Sequence, residues 1–263
     1  MIKEDIVKRI FNCVPSRKVE KDWGVDHATD AGIFQPTAAI PSAKDLREPS
    51  WWSIGNQERT GSCVGWASTD SVIRWHLVKA NRIPKDKLLS VRFTWMASKE
   101  TDEYTSMATT FIEREGTSLK AALDIARKFG VVEDSLLPFD SGKLYGGEPA
   151  TFYMLAARLK ISGYVNLGNN LADWRRWLAT NGPILTRLDV DNAWNNANAT
   201  SANLDVYQKP TWPAGHAVAL VGYTPDRFIV RNSWGTNWGD KGFVYASNAY
   251  AQAAFTEAYG ISV

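Results

Sequence analysis

Hydrophobic positions recur at two different spacings along this chain, and the change from one to the other divides it. From Cys63 to about Ala80 the spacing predicts a central helix, with Trp66, Ala67, Ile73, Leu77 and Val78 as candidate buried positions. Asn81 and Pro84 would stop it. Another helix begins after Ser118, a candidate N-cap; Leu119, Ala122, Leu123 and Ala126 share one face and Gly130 ends it. Asn170 and Asp173 are candidate caps for a helix over Leu171–Thr180. Elsewhere the pattern is that of strands: residues 184–190, 217–223, 228–231, 242–246 and 257–263 are short apolar runs bounded by turn residues. Residues 192–203, rich in Asn and Ala, and 141–149, with three glycines, read as loops. Helices therefore crowd the first half and strands the second.

The strand pair 217–223 and 228–231, joined at Pro225-Asp226, carries the first candidate chemistry. A hairpin of that length sets His216 beside Asn232. A side-chain amide there holds one imidazole nitrogen and leaves the other for proton transfer. Trp234, two residues on, is placed to shield that bond from water. Far upstream, Cys63 stands at the start of the central helix, where the dipole and free N–H groups favour a thiolate. Gln57, six residues earlier, can offer its amide to an oxyanion beside the Cys63 backbone N–H.

Gln57, Cys63, His216, Asn232 and Trp234 resemble the papain-like cysteine proteases in residue type, order and short-range spacing. The run Asn-Ser-Trp-Gly-Thr-Asn-Trp-Gly-Asp-Lys-Gly from Asn232 to Gly242 is its most specific part, and the likeness extends from about residue 40 to the C-terminus. It implies an α+β fold of two lobes: a helical lobe (about 40–150) with a central nucleophile helix, packed against an antiparallel β-barrel lobe (about 151–263). It also implies thiol-dependent hydrolysis of polypeptides, with Cys63 as nucleophile, His216 as acid and base, Asn232 orienting the imidazole and Gln57 in the oxyanion hole. Gly116, Ala217 and Trp234 are the expected substrate-binding residues. The sequence departs from the family where Val64 and Gly65 replace an aromatic residue after the nucleophile, and where Gly116 stands without a second glycine. Two other readings stay open: an acyl-transfer or isopeptidase variant of the same residues, and a non-catalytic structural or binding component, such as a virion protein.

Composition changes this picture little. The 263 residues are 44% hydrophobic and 22% charged, with a net charge of +2, so neither nucleic acid nor a membrane is an expected partner. No cofactor is expected, and no cluster has metal-ligand spacing. His27 and His76 read as structural. Cys13 and Cys63 are the only cysteines, and Thr60 occupies the position where secreted relatives place a disulfide partner. No disulfide is expected, which suits a reducing compartment. The first residues are charged throughout and lack the apolar core of a signal peptide, so a cytoplasmic protein, bacterial or phage-encoded and even carried in a phage particle, is expected.

Residues 1–39 precede the resemblance. Ile2, Ile6, Val7 and Ile10 have helical spacing, and 22–36 reads as irregular chain. The favoured expectation is a structural arm whose apolar group packs away from Cys63. The alternative is a short propeptide with residues 22–36 lying across the cleft.

Overall fold

The computed structural model describes residues 9–101, 115–140, 142, 144–211 and 214–263; the helix expected around Ile2, Ile6 and Val7 lies outside them. The chain enters as an extended segment, residues 9–16, and then forms helix α1 (Val25–Asp30). That helix falls in the stretch expected to be irregular. It is only six residues long, and Ala28 is its one buried side chain, too little to leave a periodic signature. A two-residue strand, β1 (Lys44–Asp45), precedes the central helix.

The central helix begins as α2 (Cys63–Gly65), widens into a π segment (Trp66–Ile73) and returns to α geometry as α3 (Arg74–Lys79). The Arg74 N–H reaches back five residues to Thr69 O, the bond that defines the wider turn. Of residues 63–78 only Trp66 is not buried. Helices α4 (Val91–Thr101) and α5 (Leu119–Lys128) pack beside it. In α5 the Ser118 side chain caps Ala121 N–H, and Gly130 at φ +99° takes the backbone past the helix end. A side chain at Gly130 would also strike Ala156 O, 1.9 Å from a built Cβ. Helix α6 (Pro149–Ala157) had no helical signature because its residues are apolar on every side; Phe152 and Ala156 face inward, and Tyr153 and Met154 are exposed.

The second half contributes β2 (Gly163–Asn166), α7 (Leu171–Thr180), β3 (Ile184–Asp189), α8 (Asn192–Asn196) and β4 (Asn203–Leu204). There follow β5 (Gly215–Tyr223), β6 (Arg227–Arg231), β7 (Phe243–Ser247), α9 (Asn248–Ala254) and β8 (Phe255–Ser262). The sheet runs β2-β8-β3-β5-β6-β7-β4, with β1 also on β5; every pairing is antiparallel except β4 with β7. All nine residues of β5 are buried, so this strand forms the floor against which the central helix packs. The fold is thus α+β, a helical lobe against a largely antiparallel sheet lobe.

One cation staples the lobes. Arg231, 1% exposed at the end of β6, donates to Trp52 O, Ser53 O and Ser71 Oγ, and its Nη2 lies 2.7 Å from Asp70 Oδ2. Arg74 pairs with the other Asp70 oxygen at 3.5 Å. Three buried charges tolerate this setting because each has a counter-charge or a carbonyl to bond.

Candidate active site

The hairpin of β5 and β6 places His216 and Asn232 in contact: His216 Nε2 and Asn232 Oδ1 are 2.8 Å apart, and both residues are buried. Asn232 Oδ1 also accepts the Ser233 N–H, which fixes the amide with its oxygen toward the ring. His216 Nδ1 is buried and has no partner among the described residues. Trp234 lies over the pair, its ring 5.0 Å from the imidazole. Trp194 meets the imidazole edge-on from another side at 5.6 Å and stacks on Trp238. Trp194 was missed in the sequence because it sits in an Asn-rich run read as a loop. It lies instead on α8, a five-residue helix capped by Asp191, and its indole N–H donates to Tyr250 Oη. A lone tryptophan in a polar stretch was the available signal.

On the helical lobe, Cys63 is the first residue of α2. Its thiol is within hydrogen-bonding reach of the backbone N–H of Ala217, the residue after His216. Gln57 is fully buried and held from the far end of the chain: its Oε1 accepts from Ser233 Oγ (2.9 Å) and Trp234 Nε1 (3.2 Å). One Nε2 hydrogen goes to Thr60 O at 3.0 Å. An amide nitrogen has two hydrogens, so the second is left over.

The extended N-terminal segment runs over this assembly. Phe11 meets the His216 ring edge-on at 5.9 Å and Trp234 at 5.6 Å, and Arg9 lies 5.1 Å from the Trp234 ring centroid. Cys13 N–H donates to Gly215 O (2.9 Å) and Val14 N–H to Thr117 O (3.2 Å), so the segment bridges both walls of the cleft. Gly116 lies directly beneath it; a built Cβ there would be 1.6 Å from Asn12 O. This corrects the placement expected for a propeptide: the described part that crosses the cleft is 9–14 and not 22–36. Of the apolar group expected to pack away from Cys63, Ile2, Ile6 and Val7 lie outside the described residues. Residues 22–36 pack on the sheet lobe, with Phe34 stacked on Trp177, Trp23 O accepting from Asn166 N–H and Ile33 O accepting from Asn181.

Burial sets the electrostatics of the pair. Cys63 is 0% exposed, and burial pushes its thiol up to about 11. Burial lowers His216 to about 4, against the bond to Asn232, which acts to raise it. Both shifts favour the neutral thiol and the neutral imidazole, against the thiolate expected at the helix N-terminus. The helix end favours the thiolate, and desolvation by burial opposes it. His76 is likewise buried neutral, lowered to about 4, and is part of the packing. His27 Nδ1 accepts the Gly24 N–H at the start of α1. Neither cysteine is in a disulfide, and no group of metal-ligating side chains occurs among the described residues.

Comparison with known proteins agrees with this architecture. Residues 40–261 match the family described as papain family cysteine protease. Ananain from Ananas comosus is 25% identical over 222 residues, covering 79% of this chain and 56% of that protein. Cysteine proteinase B from Leishmania mexicana is 32% identical over 116 residues, 43% of this chain and 25% of that one. The chain thus spans only a quarter to about half the length of these curated relatives. Among solved structures, xylellain, a cysteine protease from Xylella fastidiosa, superposes with a TM-score of 0.76 at 20% identity over 96% of both chains. Digestive procathepsin L2 from Tenebrio molitor gives 0.71 at 21% identity, over 100% of this chain and 81% of that one. With a match across most of its length, the chain belongs to the papain family of cysteine proteases.

Proposed function

We propose that the chain hydrolyses peptide bonds with Cys63 as nucleophile, and that residues 9–14 hold it inactive until they are displaced. The observation that carries this is the buried His216–Asn232 bond beside a cysteine at a helix N-terminus, with the free nitrogen of the imidazole unpartnered. Once the arm leaves, water reaches the pair and the cost of charge separation falls. His216 Nδ1 then takes the thiol proton, and the thiolate attacks the scissile carbonyl. The oxyanion is met by the Cys63 backbone N–H and the second Gln57 Nε2 hydrogen. His216 returns the proton to the leaving amine, and a thioester remains. Water, deprotonated by the same nitrogen, cleaves it and regenerates the thiol. Asn232 keeps the ring oriented throughout.

The test is peptide hydrolysis by purified full-length chain alongside Cys63→Ala and His216→Ala. Both variants should lose all turnover with melting temperatures close to the parent. Retained turnover in Cys63→Ala would refute the nucleophile assignment. For the arm, Gly116→Ala places a methyl against Asn12 O, so the arm should lift and Cys63 should be alkylated by iodoacetamide faster than in the parent. Equal alkylation rates would show that the arm does not protect the thiol.

A further inference from the structure

Helix α6 presents to solvent a face that its composition suits to packing. Its residues, Pro-Ala-Thr-Phe-Tyr-Met-Leu-Ala-Ala, include no charge, and a helix apolar on every side is ordinarily buried on every side. Only Phe152 and Ala156 are buried. Ala150, Tyr153, Met154 and Ala157 recur at the i, i+3, i+4, i+7 spacing of a packing stripe, yet all four are exposed, Met154 to 72% and Tyr153 to 51%. Phe129, at the end of α5 and also exposed, extends the stripe through its ring contact with Tyr153 at 5.9 Å. Apolar side chains exposed singly are ordinary, whereas a contiguous group marks a contact surface.

The helix also carries the complement of this face. Glu148 is its N-cap and Arg158 its C-cap; both are exposed, and neither forms an ion pair among the described residues. Ten residues at 100° each return to within about 80° of the start, so the two charges share one flank of the helix, the one away from Tyr153. Let a second copy be laid antiparallel on the stripe, about a two-fold axis crossing the helix between Tyr153 and Met154. Ala150 then lies opposite the partner's Ala157. Tyr153 and Met154 meet their own counterparts near the axis, giving ring and thioether contacts. On the other flank Glu148 comes to the partner's Arg158 at each end of the pair, and the two helix dipoles run in opposite directions.

We propose that the exposed face of α6 is a self-association surface, occupied by α6 of a second copy of this chain in that antiparallel arrangement. A helix pair alone buries less than a standard interface, so the association is weak and depends on concentration. The surface lies away from the arm. Phe129 adjoins α6 at the end of α5, whereas Ser118, at the start of α5, follows the Gly116-Thr117 segment that the arm crosses. The ten residues of α5 separate those ends by about 15 Å. Pairing therefore does not depend on whether the arm is seated, nor on the hydrolysis reading above.

Sedimentation equilibrium of the full-length chain, from about 5 to 500 μM, tests it. The mean mass should rise with concentration from 29.3 kDa toward twice that value. Met154→Glu brings two like charges together at the axis in an apolar seam and should hold the chain monomeric. Glu148→Arg and Arg158→Glu each set like charges against one another at both ends, and each should raise the dimer Kd by about tenfold. An equal mixture of those two variants should recover the parental association, because each then meets the opposite charge on the other. All three positions are exposed, so the melting temperatures should match the parent. A single 29.3 kDa species at every concentration overturns the proposal. So does a dimer that survives Met154→Glu, or two charge variants whose mixture does not recover. A chain that stays monomeric but sediments with phosphatidylglycerol vesicles would assign the stripe to a lipid surface, and the proposal would fail.

Discussion

His216 and Asn232 are sixteen residues apart on one hairpin, whereas Gln57 is held by Ser233 and Trp234 from 176 and 177 residues away. The sheet side of the site is built from its own local chain. The helical side takes its geometry from the sheet lobe, through the Gln57 loop and through Arg231 on Asp70. The difference teaches that the two sides should fail differently: damage at the lobe interface should reach Gln57 and Cys63 before it reaches the hairpin.

The largest expected effect comes from breaking the staple. Arg231→Ala leaves Asp70 buried beside Arg74 alone and should cost about 3–5 kcal/mol, read as a drop in chemical-denaturation midpoint. If the loss is below about 1 kcal/mol, the lobes are held together by apolar packing and not by this cation. Next, Gln57→Ala should lower kcat of the activated enzyme by roughly 10²–10³, the usual loss for one oxyanion donor, with the His216 titration unmoved. A shifted His216 titration would mean the two sides are coupled more tightly than the comparison holds.

Stability against pH probes the buried groups of both sides together. His216 and His76 are lowered from 6.5 to about 4, so the unfolded chain binds more protons below pH 6.5 and stability falls as pH drops toward 4. Cys63 is raised from 9.0 to about 11, so stability also falls as pH climbs above 9.0. The melting temperature of the full-length chain should therefore be highest between these limits, and His76→Gln should flatten part of the acid limb. The smallest effect is expected from Ser233→Ala. It removes one bond to Gln57 while Trp234 Nε1 still holds the same oxygen, for a cost of about 1 kcal/mol.

The same contrast explains what could be read before folding. The β5–β6 hairpin, α5 with its Ser118 cap and α7 with its Asn170 cap are set by residues close in sequence, and periodicity and capping reveal such elements. Helices α1, α8 and α9 are five to seven residues long and have too few buried positions to show a period. Trp194 illustrates the limit: its burial comes from Trp238, Tyr250 and His216, all brought to it by tertiary structure. The path of the arm was illegible for a similar reason. Phe11, Asn12 and Cys13 are fixed by Trp234, Gly116 and Gly215, which lie more than a hundred residues downstream.

The π segment has a consequence for how the central helix tolerates change in length. Each of its five-residue bonds encloses one residue more than an α turn, so Trp66–Ile73 holds slack that the flanking α segments lack. Cys63 sets the rotational phase of one end against Ala217, and Arg74 sets the other against the carbonyls of Trp51, Lys85 and Lys87. Forcing the same residues into unbroken α spacing would turn everything beyond by roughly 100° relative to Cys63. Arg74 would then swing off those carbonyls while Cys63 stayed in place. The widened turn acts as a vernier, matching Cys63 and an anchoring arginine that an ideal helix of the same length would bring round out of step.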